Sequence, residues 1–164
     1  MITSYIGIGS NLQRHKHIEA ACRELAQIGE QLRLSTIYEC DSLGFDSHAF
    51  YNLVVELHTS LSLAALVKKL REIELRWGRA VEAKKFQDRT LDLDLILYGD
   101  VVSVDTPIIP RSDIYHYPFV IQPLYELCPQ LSIPGDGQTI EQVWLTASNL
   151  SSLTPVPLWF SINR

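Results

Sequence analysis

The sequence predicts an α+β fold in β-α-β-β-α-β order with C-terminal additions. Two patterns carry that expectation. Four runs alternate apolar and polar residues, as half-buried strands do, and two further runs space their apolar residues at helical intervals. The 164-residue length and 46% hydrophobic content support one sizeable core, so a single domain over residues 1–164 is expected.

The elements follow in order. Residues 4–8 read as a strand ending at Gly9, and residues 18–28 as a helix ending near Gly29. Residues 31–38 alternate and end near Asp41; residues 50–59 form a second alternating run beyond a polar loop. Ser62 is placed to cap a helix over 63–77 that stops at Gly78. Residues 79–89 form a loop, and 90–98 a strand whose hairpin return would lie at 101–104. A helix near 119–127, a short strand at 131–133 and a helix near 139–147 complete the body. Residues 148–164, with the bulky string Leu158-Trp159-Phe160, read as a packed tail. This order is that of a ferredoxin-like α+β sandwich.

Composition narrows the function classes. Formal net charge is −5, which argues against a nucleic-acid groove binder. Cys22, Cys40 and Cys128 are too few and scattered for a disulfide framework, and none forms a C-x-x-C pair, so structural zinc is not expected. Reduced thiols in the cytoplasm are the simplest reading. The N-terminus has no basic leader followed by a long apolar run, so no signal peptide is expected. No apolar stretch is long enough to span a membrane.

The most informative segment is Arg89-Thr-Leu-Asp-Leu-Asp-Leu-Ile-Leu-Tyr98. Aspartate is depleted in strands, so two in one strand need a reason. Period-two alternation points Asp92 and Asp94 to one face, with Cα atoms about 7 Å apart. At an effective dielectric of about 20 two such charges repel by roughly 2 kcal/mol. A divalent cation removes that repulsion, and Mg²⁺ is the natural one where substrate phosphates supply further oxygens. A strand with one wet face would also hold two aspartates. The preceding residues, however, carry Arg76, Arg79, Lys84, Lys85 and Arg89 against only Glu82 and Asp88. Cations facing metal-binding carboxylates describe a polyphosphate site.

Other signals are weaker. Gly7-x-Gly9 lacks the third glycine of a dinucleotide fingerprint, and no Walker lysine follows, so a tight strand exit is expected. His15 and His17 lie two apart near a helix start and are expected to be solvated.

Several segments together resemble the 6-hydroxymethyl-7,8-dihydropterin pyrophosphokinase family. They are Ile73-Glu74 followed by Gly78-Arg79, the Arg89–Tyr98 run, the Tyr5-Ile-Gly-Ile-Gly-Ser-Asn-Leu12 start, Phe50-Tyr-Asn-Leu-Val-Val55 and Phe119–Pro129. The resemblance runs in unbroken order to about residue 145. It implies transfer of pyrophosphate from ATP, the co-substrate, to the hydroxymethyl group of the reduced pterin in folate biosynthesis. It implies two Mg²⁺ ions on Asp92 and Asp94, and phosphate stabilisation by Arg79 and Arg89. ATP contacts would come from Glu74, Lys84, Lys85, Phe86 and Arg111. Leu43, Gly44, Phe50, Asn52 and Phe119 would shape the pterin pocket, with the aromatic rings stacking on the bicycle and the Asn52 amide matching its edge. The expected partners are these small molecules alone, bound by a monomer, with neither nucleic acid nor membrane.

The chain departs from the family pattern in places. Cys40-Asp41-Ser42 replaces a Thr-Pro-rich turn, Phe86 a tryptophan, Asp88 a proline, and Val81 a residue basic in some members. Arg111 stands after Pro110 where a histidine is usual, and Tyr117 replaces an arginine. A relative acting on a modified pterin, or binding without turnover, is the alternative these departures leave open. A βαββαβ RNA-binding module would need basic and aromatic residues on the sheet, opposite to Asp92 and Asp94.

Overall fold

The computed structural model describes residues 1–41, 49–78 and 90–162. Its strands are β1 (Ile2–Ser10), β2 (Glu30–Leu34), β3 (Ile37–Cys40), β4 (Phe50–Thr59), β5 (Asp92–Tyr98) and β6 (Thr154–Val156). Its α-helices are α1 (Arg14–Leu25), α2 (Leu63–Arg76), α3 (Asp113–His116), α4 (Pro118–Leu127) and α5 (Ile140–Leu145). The strands form one antiparallel sheet in the order β5-β1-β4-β3-β6, with β2 also on β4. The protein is therefore a mixed α/β structure around an antiparallel sheet.

Each face of the sheet buries its own core. Ile6, Ile8, Leu53, Val55, Leu57, Leu93 and Leu95 face α1 and α2. The first helix buries Ile18, Ala21, Cys22 and Leu25, and the second Leu66, Leu70 and Ile73, the spacing of one apolar stripe. Tyr5, Val54, Ile96 and Leu97 instead meet Val120, Ile121 and Leu124 of α4 on the opposite face.

Local chemistry sets the element ends. The Ser62 hydroxyl accepts from the Ala65 N–H at 3.2 Å, and Gly78 follows α2 with φ +97°, which only glycine adopts readily. Ser62→Ala should lower stability by about 1 kcal/mol. A denaturant midpoint equal to wild type would mean that water replaces this cap. Thr139 and Gln142 form a reciprocal capping box at α5.

Two bulges re-aim side chains. Between Leu34↔Val55 and Tyr38↔Asn52 the β2–β3 run carries one residue more than β4. Ser35 fills the break, donating its N–H to Val54 O and accepting from Val54 N with its hydroxyl, both at 3.0 Å. The alternation read over 31–38 as one strand is thus two strands of opposite phase. In β5 a register shift opposite Tyr5 and Ile6 places Ile96 and Leu97 consecutively in the α4-side core.

Other expectations change. β1 runs through Gly7 and Gly9 to Ser10, so the glycines lie inside the strand rather than at its exit. Residues 101–104 and 131–133 make only the isolated bridges Ser103↔Ile109 and Ser132↔Thr139, not strands. His17 is buried, with Nδ1 2.7 Å from Leu12 O, and the exposed His15 packs on Tyr51 and Trp159. The tail does more than pack: β6 pairs with β3 and extends the sheet.

Candidate active site

The centre of the sheet has a gap in its side chains. Gly9 of β1 pairs with Asn52 on one side and Asp92 on the other; Gly7 pairs with Val54 and Asp94. Side chains repeat direction every second residue, so all these positions share one face. The glycines contribute only backbone, leaving a narrow cleft with a flat floor. Asn52 and Val54 wall one side, Asp92 and Asp94 the other, and Phe119 and Val120 of α4 roof it. Phe50 borders the Gly9 end: a Cβ built on Gly9 would lie 3.7 Å from its ring, and 2.8 Å from Asn52 Oδ1. The Asn52 amide turns its nitrogen to Cys40 Sγ, at 2.8 Å. Phe119 stacks on Tyr117, with centroids 5.0 Å apart and planes 15° from parallel.

A larger cavity of about 430 Å³ lies between α2, β5 and residues 106–113. Val67, Leu70, Leu95 and Ile108 give it apolar walls, and Arg71, Glu74 and Arg111 bring charge. Asp94 and Asp113 line both the cavity and the cleft. Two enclosures of different character thus share carboxylates at their junction.

The charges at that junction are unequal. Burial, reinforced by repulsion from Asp92, pushes the Asp94 carboxyl up to about 8, although Arg111 pulls it down. Arg111 Nη1 stands 3.7 Å from Asp94 Oδ1, and its Nη2 donates to Asp113 Oδ2 at 3.2 Å. Burial works against the Arg111 cation, but Asp94 and Asp113 outweigh it and raise its pKa above the usual arginine value. The Arg111 N–H donates to Ile96 O at 3.1 Å, anchoring the residue to β5, and its buried Nε has no hydrogen-bond partner among the described residues. Glu74 is buried and accepts from the Leu93 N–H at 2.7 Å, while Arg71 lies 3.9 Å away. That bond ties α2 to the aspartate strand.

The donor set suits a hard divalent ion. It offers carboxylate oxygens, and Asp94's raised pKa marks negative charge that a cation would relieve. Among the described residues no group of three or more His, Cys, Asp or Glu is placed to hold a metal unaided. Mg²⁺ commonly takes one or two protein carboxylates and fills its shell with water and substrate phosphate.

The structure thus brings together Phe50, Asn52, Asp92, Asp94 and Phe119 around the cleft, and Glu74, Asp94 and Arg111 around the cavity. Leu43, Gly44, Arg79, Lys84, Lys85, Phe86 and Arg89 lie outside the described residues. Sequence reasoning missed the glycine floor and Asp113. The i, i+2 spacing of the glycines in an otherwise regular strand was a signal for the floor. Asp113, in a polar Pro-Arg-Ser-Asp string, gave none.

A family model for 7,8-dihydro-6-hydroxymethylpterin-pyrophosphokinase (HPPK) matches residues 5–129. The chain belongs to this family. It is 35% identical over 148 residues to the 2-amino-4-hydroxy-6-hydroxymethyldihydropteridine pyrophosphokinase of Haemophilus influenzae, covering 87% of this chain and 92% of that one. It is 34% identical over 156 residues to the Bacillus subtilis protein of the same name, covering 90% and 93%. Among solved structures, a triple mutant of Plasmodium falciparum HPPK-DHPS with SDX-DHP superposes with TM-score 0.70 at 12% identity, covering 88% of this chain. A second HPPK-DHPS crystal structure, in complex with substrates, gives 0.67 at 12% identity, again over 88%. At that identity the likeness speaks for the fold. This chain spans 44% and 43% of those longer HPPK-DHPS chains. The HPPK match ends at residue 129, so α5, β6 and the tail lie beyond it.

Proposed function

We propose that this HPPK family member transfers pyrophosphate from ATP to 6-hydroxymethyl-7,8-dihydropterin, releasing AMP, in folate biosynthesis. One observation carries the reading: Asp94 stands where a flat, narrow cleft meets a larger cavity, as a group serving two substrates must. The cleft takes the pterin, between the rings of Phe50 and Phe119 and over the glycine floor. Asn52 Oδ1 presents an acceptor to its edge. The cavity takes the nucleotide, with Arg111 and Glu74 in its wall. The pterin hydroxyl oxygen forms the new bond to the β-phosphorus and loses its proton to water, while the bond from that phosphorus to the α–β bridging oxygen breaks and AMP departs with that oxygen. Arg111 balances charge on the phosphate oxygens. Asp92 and Asp94 would hold two Mg²⁺ ions, which when bound would draw charge from the phosphates and lower the pKa of the attacking hydroxyl. Arg79 and Arg89 act as charge stabilisers, Lys84, Lys85 and Phe86 contact ATP, and Leu43 and Gly44 complete the pterin pocket.

The strand order supports reading the fold as ferredoxin-like. A single domain acting as a monomer completes the proposal. Three unpaired thiols suit a reducing cytoplasm. No helix among the described residues is long and apolar enough to cross a membrane.

An AMP-release assay with ATP, Mg²⁺ and the reduced hydroxymethyl pterin tests the reading. Pterin-dependent AMP supports it. Pterin and ATP binding without AMP would favour a relative that binds without turnover. A second test addresses the floor. Gly9→Ala should raise the pterin KM by about tenfold and leave the ATP KM unchanged, because the new methyl meets Asn52 Oδ1. The obstructed atom ends a side chain, so the fold can yield by swinging Asn52 out of place. Unchanged pterin kinetics would remove the ring from this cleft.

A further inference from the structure

The strands that frame the cleft are gripped from behind. β3 and β4 pair Glu39 with Tyr51 and Cys40 with Phe50. Neighbouring residues on a strand face opposite ways, so Cys40, Phe50 and Asn52 look to the cleft while Glu39 and Tyr51 look to α1. There Arg14, the first residue of α1, donates to Glu39 Oε2 at 2.6 Å and to Ala49 O at 3.2 Å. Its guanidinium carbon sits 3.9 Å from the centre of the Tyr51 ring. One side chain therefore holds the end of β3, the residue before β4 and the first turn of α1 together. The planar fork makes these contacts at fixed angles, which an ammonium cannot reproduce.

The C-terminal segment backs the same point. Thr154 of β6 pairs with Glu39. Trp159 then lies 6.0 Å from Tyr51 and 4.3 Å from His15, between ring centroids. The Arg14–Glu39 pair is partly exposed, at 27% and 41%, and such pairs add little to global stability. Its geometric effect is specific: it fixes the backbone from which Phe50 and Asn52 project.

We propose that Arg14, backed by β6 and Trp159, is a positioning residue for the pterin, setting Phe50 and Asn52 through the strands that carry them. The inference rests on the pterin reading of the cleft. It confines the effect to one substrate, since α2, β5 and residues 106–113 line the nucleotide cavity and Arg14 does not.

The test compares Arg14→Met, Arg14→Lys and Trp159→Leu with wild type. Pterin binding is followed by fluorescence with a non-hydrolysable ATP analogue and Mg²⁺ present, both KM values by AMP release, and folding by thermal midpoint. Arg14→Met keeps the stem and loses both hydrogen bonds. It should weaken pterin binding and raise the pterin KM by about tenfold, with the ATP KM within about twofold of wild type. Arg14→Lys should recover part of the loss, and Trp159→Leu should shift the pterin KM in the same direction by less. Wild-type pterin affinity in Arg14→Met overturns the proposal. So does a loss that moves both KM values and the thermal midpoint together, which is the mark of a merely structural role. A wild-type protein that binds no pterin overturns the cleft assignment itself, and the first measurement alone reveals it.

Discussion

Asp94→Asn should make the metal-free protein more stable and nearly inactive. Burial and Asp92 push the Asp94 carboxyl up to about 8. The folded state therefore binds this proton more tightly than the unfolded chain, whose carboxyl titrates at about 3.9. The carboxyl costs stability progressively as pH rises from about 4 toward 8, and asparagine removes that cost. Solvent and Arg111 moderate it. The side chain keeps 36% of its exposure and the arginine lies 3.7 Å away, so the expected gain at pH 7 is only about 1 kcal/mol. Activity should fall by about a thousandfold, since a neutral amide cannot replace a charged metal ligand at the reacting phosphates. Excess Mg²⁺ should reverse the stability order, because the ion binds only the folded wild type well. The checks are denaturant midpoints with and without Mg²⁺, and AMP release. A variant that turns over normally at saturating Mg²⁺ would falsify the metal assignment.

Arg111→Ala should weaken ATP binding by about thirtyfold, equivalent to the roughly 2 kcal/mol of a charge-assisted contact. The guanidinium is held between Asp94 at 3.7 Å and Asp113 at 3.2 Å, on the cavity wall. On the proposed reading its loss would remove a phosphate contact and leave two carboxylates facing an anionic ligand. Arg111→Lys should recover less than half of the binding free energy, because a point charge lacks the fork that spans both partners. Wild-type affinity should change little between about pH 6 and 8, as the guanidinium stays charged throughout that range. Calorimetry with a non-hydrolysable ATP analogue and Mg²⁺ measures all three. Equal affinity in Arg111→Ala would make the residue a clasp between carboxylates, with no nucleotide role.

The parts of this fold that were legible in the sequence are those with an unbroken period. Leu91, Leu93 and Leu95 alternate without fault, so the aspartate strand and its common carboxylate face could be read directly. Ser62 and Gly78 bracket α2 with chemistry that local sequence alone defines. Bulges hid the rest. The extra residue near Ser35 flips the phase of β3 and turns Tyr38 and Cys40 to the site face. Alternation over 31–38 cannot reveal this, because the flip depends on the partner strand. β6 was illegible for the same reason. Its three residues, one of them proline, become a strand only because β3 offers a free edge. Asp113 joins the site through the path of residues 106–113 across β5, a long-range contact with no local trace. Arg14 reads as an ordinary helix-start cation until Glu39 and Ala49 are brought beside it.

The shortness of β6 bears on how the protein behaves in a crowded solution. Open sheet edges invite pairing with other chains, and long flat ones seed aggregates. Here the edge beyond β3 is covered by three residues with Pro155 at the middle, a residue with no N–H to offer an incoming strand. Removing this segment would lay bare the ladder of Ile37, Tyr38 and Glu39. Poor solubility should then appear in preparations whose chains still fold.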